Sequence, residues 1–176
     1  TRDDLDDGGA AHVVNTIRAV RAELPFVTIE VLTSDFGGCF ASVASVMSAR
    51  PEVFAHNVET VRSLSSKIRF KATYDGSLAM LREIKEANPC QVTKSSIMVG
   101  LGERYDEVLE SLRDLAEAGV DIVTIGQYLQ PSPKQCSVKE WVIPEMFRTY
   151  EEKAKEFGIR EVVAGPLVRS SYKAKP

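Results

Sequence analysis

Much that would give a function away is missing from this chain. Its three cysteines, Cys39, Cys90 and Cys136, are scattered singly. There is no CxxC pair, so the spacing offers no chelate and argues against a disulfide framework. Two histidines, His12 and His56, with no Cys or His beside them, make poor zinc ligands. No apolar run approaches the ~20 residues of a membrane span. Basic residues do not dominate: 22 Lys and Arg face 25 Asp and Glu, for a net charge of −3. That argues against a general nucleic-acid binder, which would show a basic stripe. GxSxG is absent, which argues against a serine hydrolase. No GK[ST] follows the glycines, which argues against a nucleoside-triphosphate loop. There is no repeat and no low-complexity tract. Nor is there an initiating methionine; the chain opens TRDDLDDGGA.

What is present is an alternation. A chain of 176 residues suffices for one sizeable domain, which buries roughly 70% of its unfolded surface. Residues 12–24 place Val13, Ile17, Val20 and Leu24 on one helical face. Residues 27–32, VTIEVL, read as a buried parallel strand. After the loop SDFGGC, residues 40–49 form a small-residue helix, and 53–57 a second strand. Residues 63–73 read as irregular. Asp75 is a plausible N-cap for a helix to Asn88, and 93–99 is a third strand. Residues 104–118 form a helix ended by Gly119, followed by a strand at 121–126. Pro144 suits the first turn of a helix to Phe157, and 161–165 is the last strand. Five strands separated by helices predict a parallel sheet curling toward a barrel, as one domain over residues 1–176.

In such folds chemistry sits at the C-terminal strand ends. Those ends read Thr33-Ser34-Asp35, His56-Asn57-Val58-Glu59, Gly100-Leu101-Gly102-Glu103 and Gln127-Tyr128-Leu129-Gln130. The fifth runs through Gly165 and Pro166 to Arg169, Ser170 and Ser171. All would face one mouth.

Several residues in this frame are open to more than one reading. VGLGER before a helix is a tight βα turn, an anion-binding helix start, or a close approach of a flat ring or carboxylate to the backbone. Glu30 inside a strand is costly unless paired; it either meets a nearby Arg or faces a ligand in the lumen. Lys94, Ser95 and Ser96 open a strand, where polar residues mark the solvated end; the competing reading makes Lys94 a catalytic base. His12 reads as surface, His56 as a hydrogen-bonding group. Arg104, Arg113, Arg148 and Arg160 read as surface charges. The paired serines close the chain, where tails ordinarily fray.

Read together, TRDDLDDGGA, DF-GG, HNVETV, TKSSIMVGLGE, AGVDIVTIGQYLQPS and GPLVRSSY resemble the lipoyl synthase family, in order and across essentially the whole chain. The resemblance implies an α/β fold: a partial (β/α) barrel of the radical S-adenosylmethionine type, with the first strands missing. It implies two [4Fe-4S] clusters and S-adenosylmethionine as cofactors. The implied activity is insertion of sulfur at C6 and C8 of an octanoyl chain on a lysine of a lipoyl domain or glycine-cleavage H protein. An auxiliary cluster is the sulfur source, and ferredoxin or flavodoxin is the reductant. Neither nucleic acid nor membrane is an expected partner. The implied compartment is the bacterial cytoplasm, or mitochondria or plastids in a eukaryote.

The resemblance also assigns residues. Ser171, with Ser170 as the alternative, takes the serine that ligates the auxiliary cluster; a hard alkoxide is a weak ligand for a soft cluster, suited to release. Gly100, Gly102 and Glu103 match the segment that approaches the adenine. Asn57 and Glu59 fall where ribose and methionyl groups sit, with Gln127 and Tyr128 lining the same mouth. Arg2, Asp3, Asp4, Gly8 and Gly9 match a loop at the end of that site. Departures are clear as well. The family's two cysteine triplets are absent, and Cys39, Cys90 and Cys136 match neither. DFRG reads DFGG at Gly37, and Lys173 stands where histidine is common. The expectation is a C-terminal fragment or incomplete gene model, with VTIEVL as an unpaired edge. The competing expectation is a cluster-less remnant or partner subunit that only binds carrier protein.

Overall fold

The structure, a computed structural model, describes residues 4–69 and 71–172. Along the chain run α1 (Ala10–Glu23), β1 (Glu30–Leu32), α2 (Phe40–Ser48), β2 (Val53–Ala55), α3 (Arg62–Ile68), α4 (Tyr74–Ala87), β3 (Val92–Val99), α5 (Tyr105–Glu117), β4 (Ile122–Gln127), α6 (Pro144–Glu156) and β5 (Glu161–Gly165). The five strands are all parallel, and their spatial order is their sequence order. Each connection therefore crosses to the adjacent strand in the same sense. Right-handed crossovers of that kind put the helices on one face and leave the other face concave, as in a barrel wall.

The helical face is the core. Ile97, Val99, Val123, Ile125 and Val162 of the sheet meet Leu78 and Leu81 of α4, Val108, Leu112 and Leu115 of α5, and Phe147 of α6. On α5 the spacing i, i+4, i+7 makes one apolar stripe, each residue of which contributes roughly 1.5–3 kcal/mol by burial. A second cluster joins Ile17 of α1, Val43 and Val46 of α2, Phe54 of β2 and Ile84 of α4. Because side chains alternate along a strand, the residues between these face inward. Lys94, Ser96 and Met98 of β3 and Thr124 and Gly126 of β4 form that inner wall.

Beyond shifts of one or two residues at element ends, the elements differ from the sequence expectation in three places. The first strand is only Glu30–Leu32 rather than 27–32. Its partner β2 starts at Val53; just before it the Pro51 carbonyl accepts from the Gln91 side chain, and the Ile29 N–H goes to the Glu52 carboxylate at 2.8 Å. The stretch 63–73 is not wholly irregular, because it contains α3. Seven residues give too little periodicity to see, and the helix is held by Val61 at its N-cap, buried in the core, and by Leu64, packed against it, rather than by propensity. The N-cap of α4 is Thr73, whose hydroxyl oxygen accepts from the Gly76 N–H at 3.0 Å, and not Asp75. Asp75 lies in the first turn, where its carboxylate pairs with Arg62. As expected, β1 has one partner among the described residues and forms an edge, with Leu24 and Phe26 before it and its own Leu32 exposed.

Candidate functional site

The chain's last described residues do not fray. After β5, residues 166–172 turn back over the inner wall. The Val168 N–H donates to the Gly165 carbonyl at 3.1 Å, and Arg169 folds its guanidinium onto the Val168 carbonyl at 2.6 Å. That carbonyl lies so close to Gly126 that a Cβ there would overlap it. Further on, the Tyr172 carbonyl accepts from Lys94 Nζ at 3.3 Å. Lys94 is 1% exposed, not the solvated strand start that its position suggested. Its ammonium grips both oxygens of Glu30, at 3.0 and 2.9 Å. Glu30 is thus ion-paired, but with Lys94 rather than with an arginine.

Two cavities open at the C-terminal strand ends. The larger, of about 680 Å³, is walled by Gly8, Thr33, Asp35, His56, Asn57, Glu59 and Arg69, among others. The smaller, of about 150 Å³, is walled by Asn57, Glu59, Ser96, Gln127, Arg169 and Ser170. Asn57 and Glu59 belong to both and join them. Glu59 holds φ +66 while its N–H donates to Ser96 and its carbonyl accepts from Met98. A left-handed glutamate is strained, and strain of this kind gathers at functional sites. Its carboxylate accepts from Asn57 Nδ2 at 3.0 Å.

A relay of hydrogen bonds stiffens the larger cavity. Arg69 donates to Ser77 Oγ at 2.7 Å, and Ser77 Oγ lies 2.8 Å from His56 Nε2. The other ring nitrogen, Nδ1, is 3.0 Å from the Thr33 carbonyl. A carbonyl can only accept, so Nδ1 carries the proton. The Ser77 hydroxyl then donates to Nε2, and the ring is neutral. Burial pushes the His56 pKa below its ordinary value, opposed by the Thr33 bond and reinforced by the Arg69 charge. Desolvation likewise lowers Arg69, against the carboxylates of Glu59 and Asp35. The Thr33 hydroxyl is buried on this wall with no partner.

The sequence-derived site residues divide into two groups. Asn57, Glu59, Gln127 and Ser170 converge on the cavities, and Gly8 joins the larger one. Ser171 is exposed and lines neither. Gly100, Gly102, Glu103 and Tyr128 also line neither and organise the neighbouring loop. Glu103 accepts from the Gly100 and Leu101 amides at 2.5 and 2.9 Å, closing the βα turn. Tyr128 donates its hydroxyl to the Cys136 carbonyl at 2.8 Å. Gln127 serves both places, since its amide also bonds Glu140 and Val142. Gly9 precedes α1 as its N-cap, and Asp4 lies just before it. Arg2, Asp3 and Lys173 lie outside the described residues. Arg69, Ser77 and Gly126 were missed by sequence reasoning. The pair of cations in IRFKA beside an unrecognised helix was the available signal for Arg69.

The cysteines take no part. Cys39, Cys90 and Cys136 are exposed and unpaired. Among the described residues no group of three or more His, Cys, Asp or Glu side chains could hold a metal ion. Nor, among them, is any helix long and apolar enough to cross a membrane.

No protein-family model matches the chain. Individual relatives do. Lipoyl synthase from Thermus thermophilus is 52% identical over 174 residues, 98% of this chain and 54% of that protein. Lipoyl synthase from Pyrobaculum calidifontis is 54% identical over 176 residues, 98% of this chain and 60% of that protein. The chain is a sequence relative of the lipoyl synthases. It spans about half the length of the curated lipoyl synthases it matches. Among solved structures, methylornithine synthase superposes with a TM-score of 0.68 at 16% identity, over 91% of this chain and 54% of that one. Streptococcus suis SuiB does so with 0.58 at 12% identity, over 86% and 35%. These likenesses are of fold alone. With the five parallel strands, they show a partial β/α barrel, the fold expected from the sequence.

Proposed function

We propose that this chain is part of a lipoyl synthase, an enzyme that inserts two sulfur atoms at C6 and C8 of a protein-bound octanoyl-lysine to form lipoyl-lysine. The observation that carries the reading is identity above one half across 98% of the chain. Its substrate would be an octanoylated lipoyl domain or glycine-cleavage H protein, and its electron donor a ferredoxin or flavodoxin.

The larger cavity fits S-adenosylmethionine. Its volume, about 680 Å³, is in the range of small-molecule sites. A zwitterionic ligand suits a wall that sets Arg69 against Asp35 and Glu59, and the unpartnered Thr33 hydroxyl offers a further bond. When bound, and given one electron by the reductant named above, that cofactor would supply a 5′-deoxyadenosyl radical, with methionine as the leaving group. Glu59 and Asn57, already bonded to each other, would orient the ligand where the two cavities meet. Arg69, fixed by Ser77, would meet its carboxylate. Gly100, Gly102 and Glu103 would act on an adenine only through the shape of their turn, and Tyr128 through the loop that it pins. The described residues do not fit an iron–sulfur cluster, which needs several thiolates. The tail serines would offer such a cluster a single hydroxyl and no thiolate. Ser171 is the residue that the family resemblance assigns; Ser170 is favoured by its place on the smaller cavity's wall.

A chimera tests the reading. This chain replaces the matching 174 residues of the Thermus thermophilus lipoyl synthase, and the protein is reconstituted with iron and sulfide and given an octanoylated H protein. Lipoyl-lysine detected by mass spectrometry is the expected result. A chimera that folds and binds iron yet leaves the octanoyl chain unmodified overturns the reading in favour of a protein that only binds its carrier.

A further inference from the structure

Three observations concern how the tail stays on the inner wall. Lys94 is buried, yet its ammonium is not spent on Glu30 alone, because it also reaches the Tyr172 carbonyl, 78 residues away in sequence. Gly126 leaves out the one side chain whose Cβ would strike the Val168 carbonyl. Ser170 lies between these two contacts and lines the smaller cavity. An ammonium has three donors. Glu30 fixes it from one side of the sheet, at β1, so that a donor is left for the tail.

We propose that Lys94 is a positioning residue for the C-terminal tail: held by Glu30, its ammonium seats residues 168–172 across the bare backbone of Gly126 and so brings Ser170 to the mouth. As a role in sulfur insertion this rests on the function proposed above; as a latch it stands on the contacts alone. The physical logic is one of asymmetry. The tail has few apolar anchors, and Leu167 and Tyr172 are exposed. A charge-assisted bond to its far end and a snug backbone crossing at its near end are what hold it. Nothing here requires Lys94 to touch a reacting atom.

The test is hydrogen exchange on the full chain, read at the Val168 and Tyr172 amides, whose bonds to Gly165 and Arg169 depend on the tail staying folded. In the wild type these amides are expected to be protected relative to a free peptide of residues 164–176. The single variant Lys94→Met strands a buried carboxylate and can fail to fold, so the informative variant is Lys94→Met with Glu30→Leu, which removes both charges. It is expected to keep core protection at Val123 while tail exchange rises about tenfold or more, the worth of a bond to a charged group. Gly126→Ala is expected to release the tail by the independent route of steric overlap. A purely structural role for the ion pair would change core and tail exchange together or neither. The proposal is overturned if wild-type tail amides exchange like the peptide, or if the double variant leaves the tail protected. That result would not touch the lipoyl synthase reading, which fails instead on the chimera.

Discussion

Gly100 and Gly102 look alike in VGLGER, and the structure separates them. Both have left-handed backbones, with φ +97 and +104. A Cβ at Gly102 would meet the Lys139 Cγ at 3.4 Å, an ordinary contact. A Cβ at Gly100 would overlap Gln127 Nε2 and stand 2.5 Å from the Glu140 carbonyl. Backbone strain from a side chain costs about 1–2 kcal/mol at either position. At Gly100, Gln127 must also withdraw. That puts at risk its bonds to Tyr128, Glu140 and Val142, at 3.1, 3.0 and 3.0 Å, each with a net worth of about 1 kcal/mol. Gly100→Ala is therefore expected to destabilise by about 3–5 kcal/mol and Gly102→Ala by about 1–2 kcal/mol. Urea unfolding gives both values from midpoint and slope. Equal losses for the two variants would refute the claim that Gly100 exists for the close approach of Gln127 and Glu140.

Two further outcomes follow from buried charge and burial. Lys94→Met alone leaves Glu30 without its partner and is expected to cost about 3–5 kcal/mol in a denaturant titration, with much of the loss recovered when Glu30→Leu is added; failure to recover would mean that the ion pair's stranded charge is not the cause. For His56, the folded pKa is pushed below 6.5, chiefly by burial. The unfolded chain therefore takes up that proton first, and stability present at pH 7 falls as pH drops through 6.5, until the folded ring also protonates. Thermal melts between pH 7.5 and 5 should show this decline flattened in His56→Gln, and an unchanged slope would contradict the neutral, Ser77-bonded ring.

The strand–helix alternation was legible because long helices such as α5 write their buried face into the sequence at helical spacing. The last strand, residues 161–165, was legible to the residue. Where the sequence misled, the deciding contacts were remote. Glu30 and Lys94 each look out of place inside a strand, and the sequence suggests a different partner for each. Only the register Leu32–Ala55–Lys94 across β1, β2 and β3 puts their side chains on the same inner wall. The short helix α3 carries too few turns to declare itself, and Arg69 was lost with it. The convergence of Asn57, Glu59 and Gln127 could be read from strand ends, since parallel strands deliver their C-terminal residues to one side. The division that leaves Gly100, Glu103 and Tyr128 shaping a loop could not, because it depends on side-chain directions within a tight turn. For the tail, no periodicity exists to be read; its path is set by a missing Cβ at Gly126 and one ammonium.

The account stands or falls on whether a tail hydroxyl, seated at the mouth, is used in the reaction. The direct measurement is lipoyl-lysine formed by the Thermus chimera carrying Ser170→Ala, beside one carrying Ser171→Ala. The account predicts that Ser170→Ala loses lipoyl formation while S-adenosylmethionine cleavage persists, and that Ser171→Ala retains product. Full lipoyl formation by the Ser170→Ala chimera would contradict it.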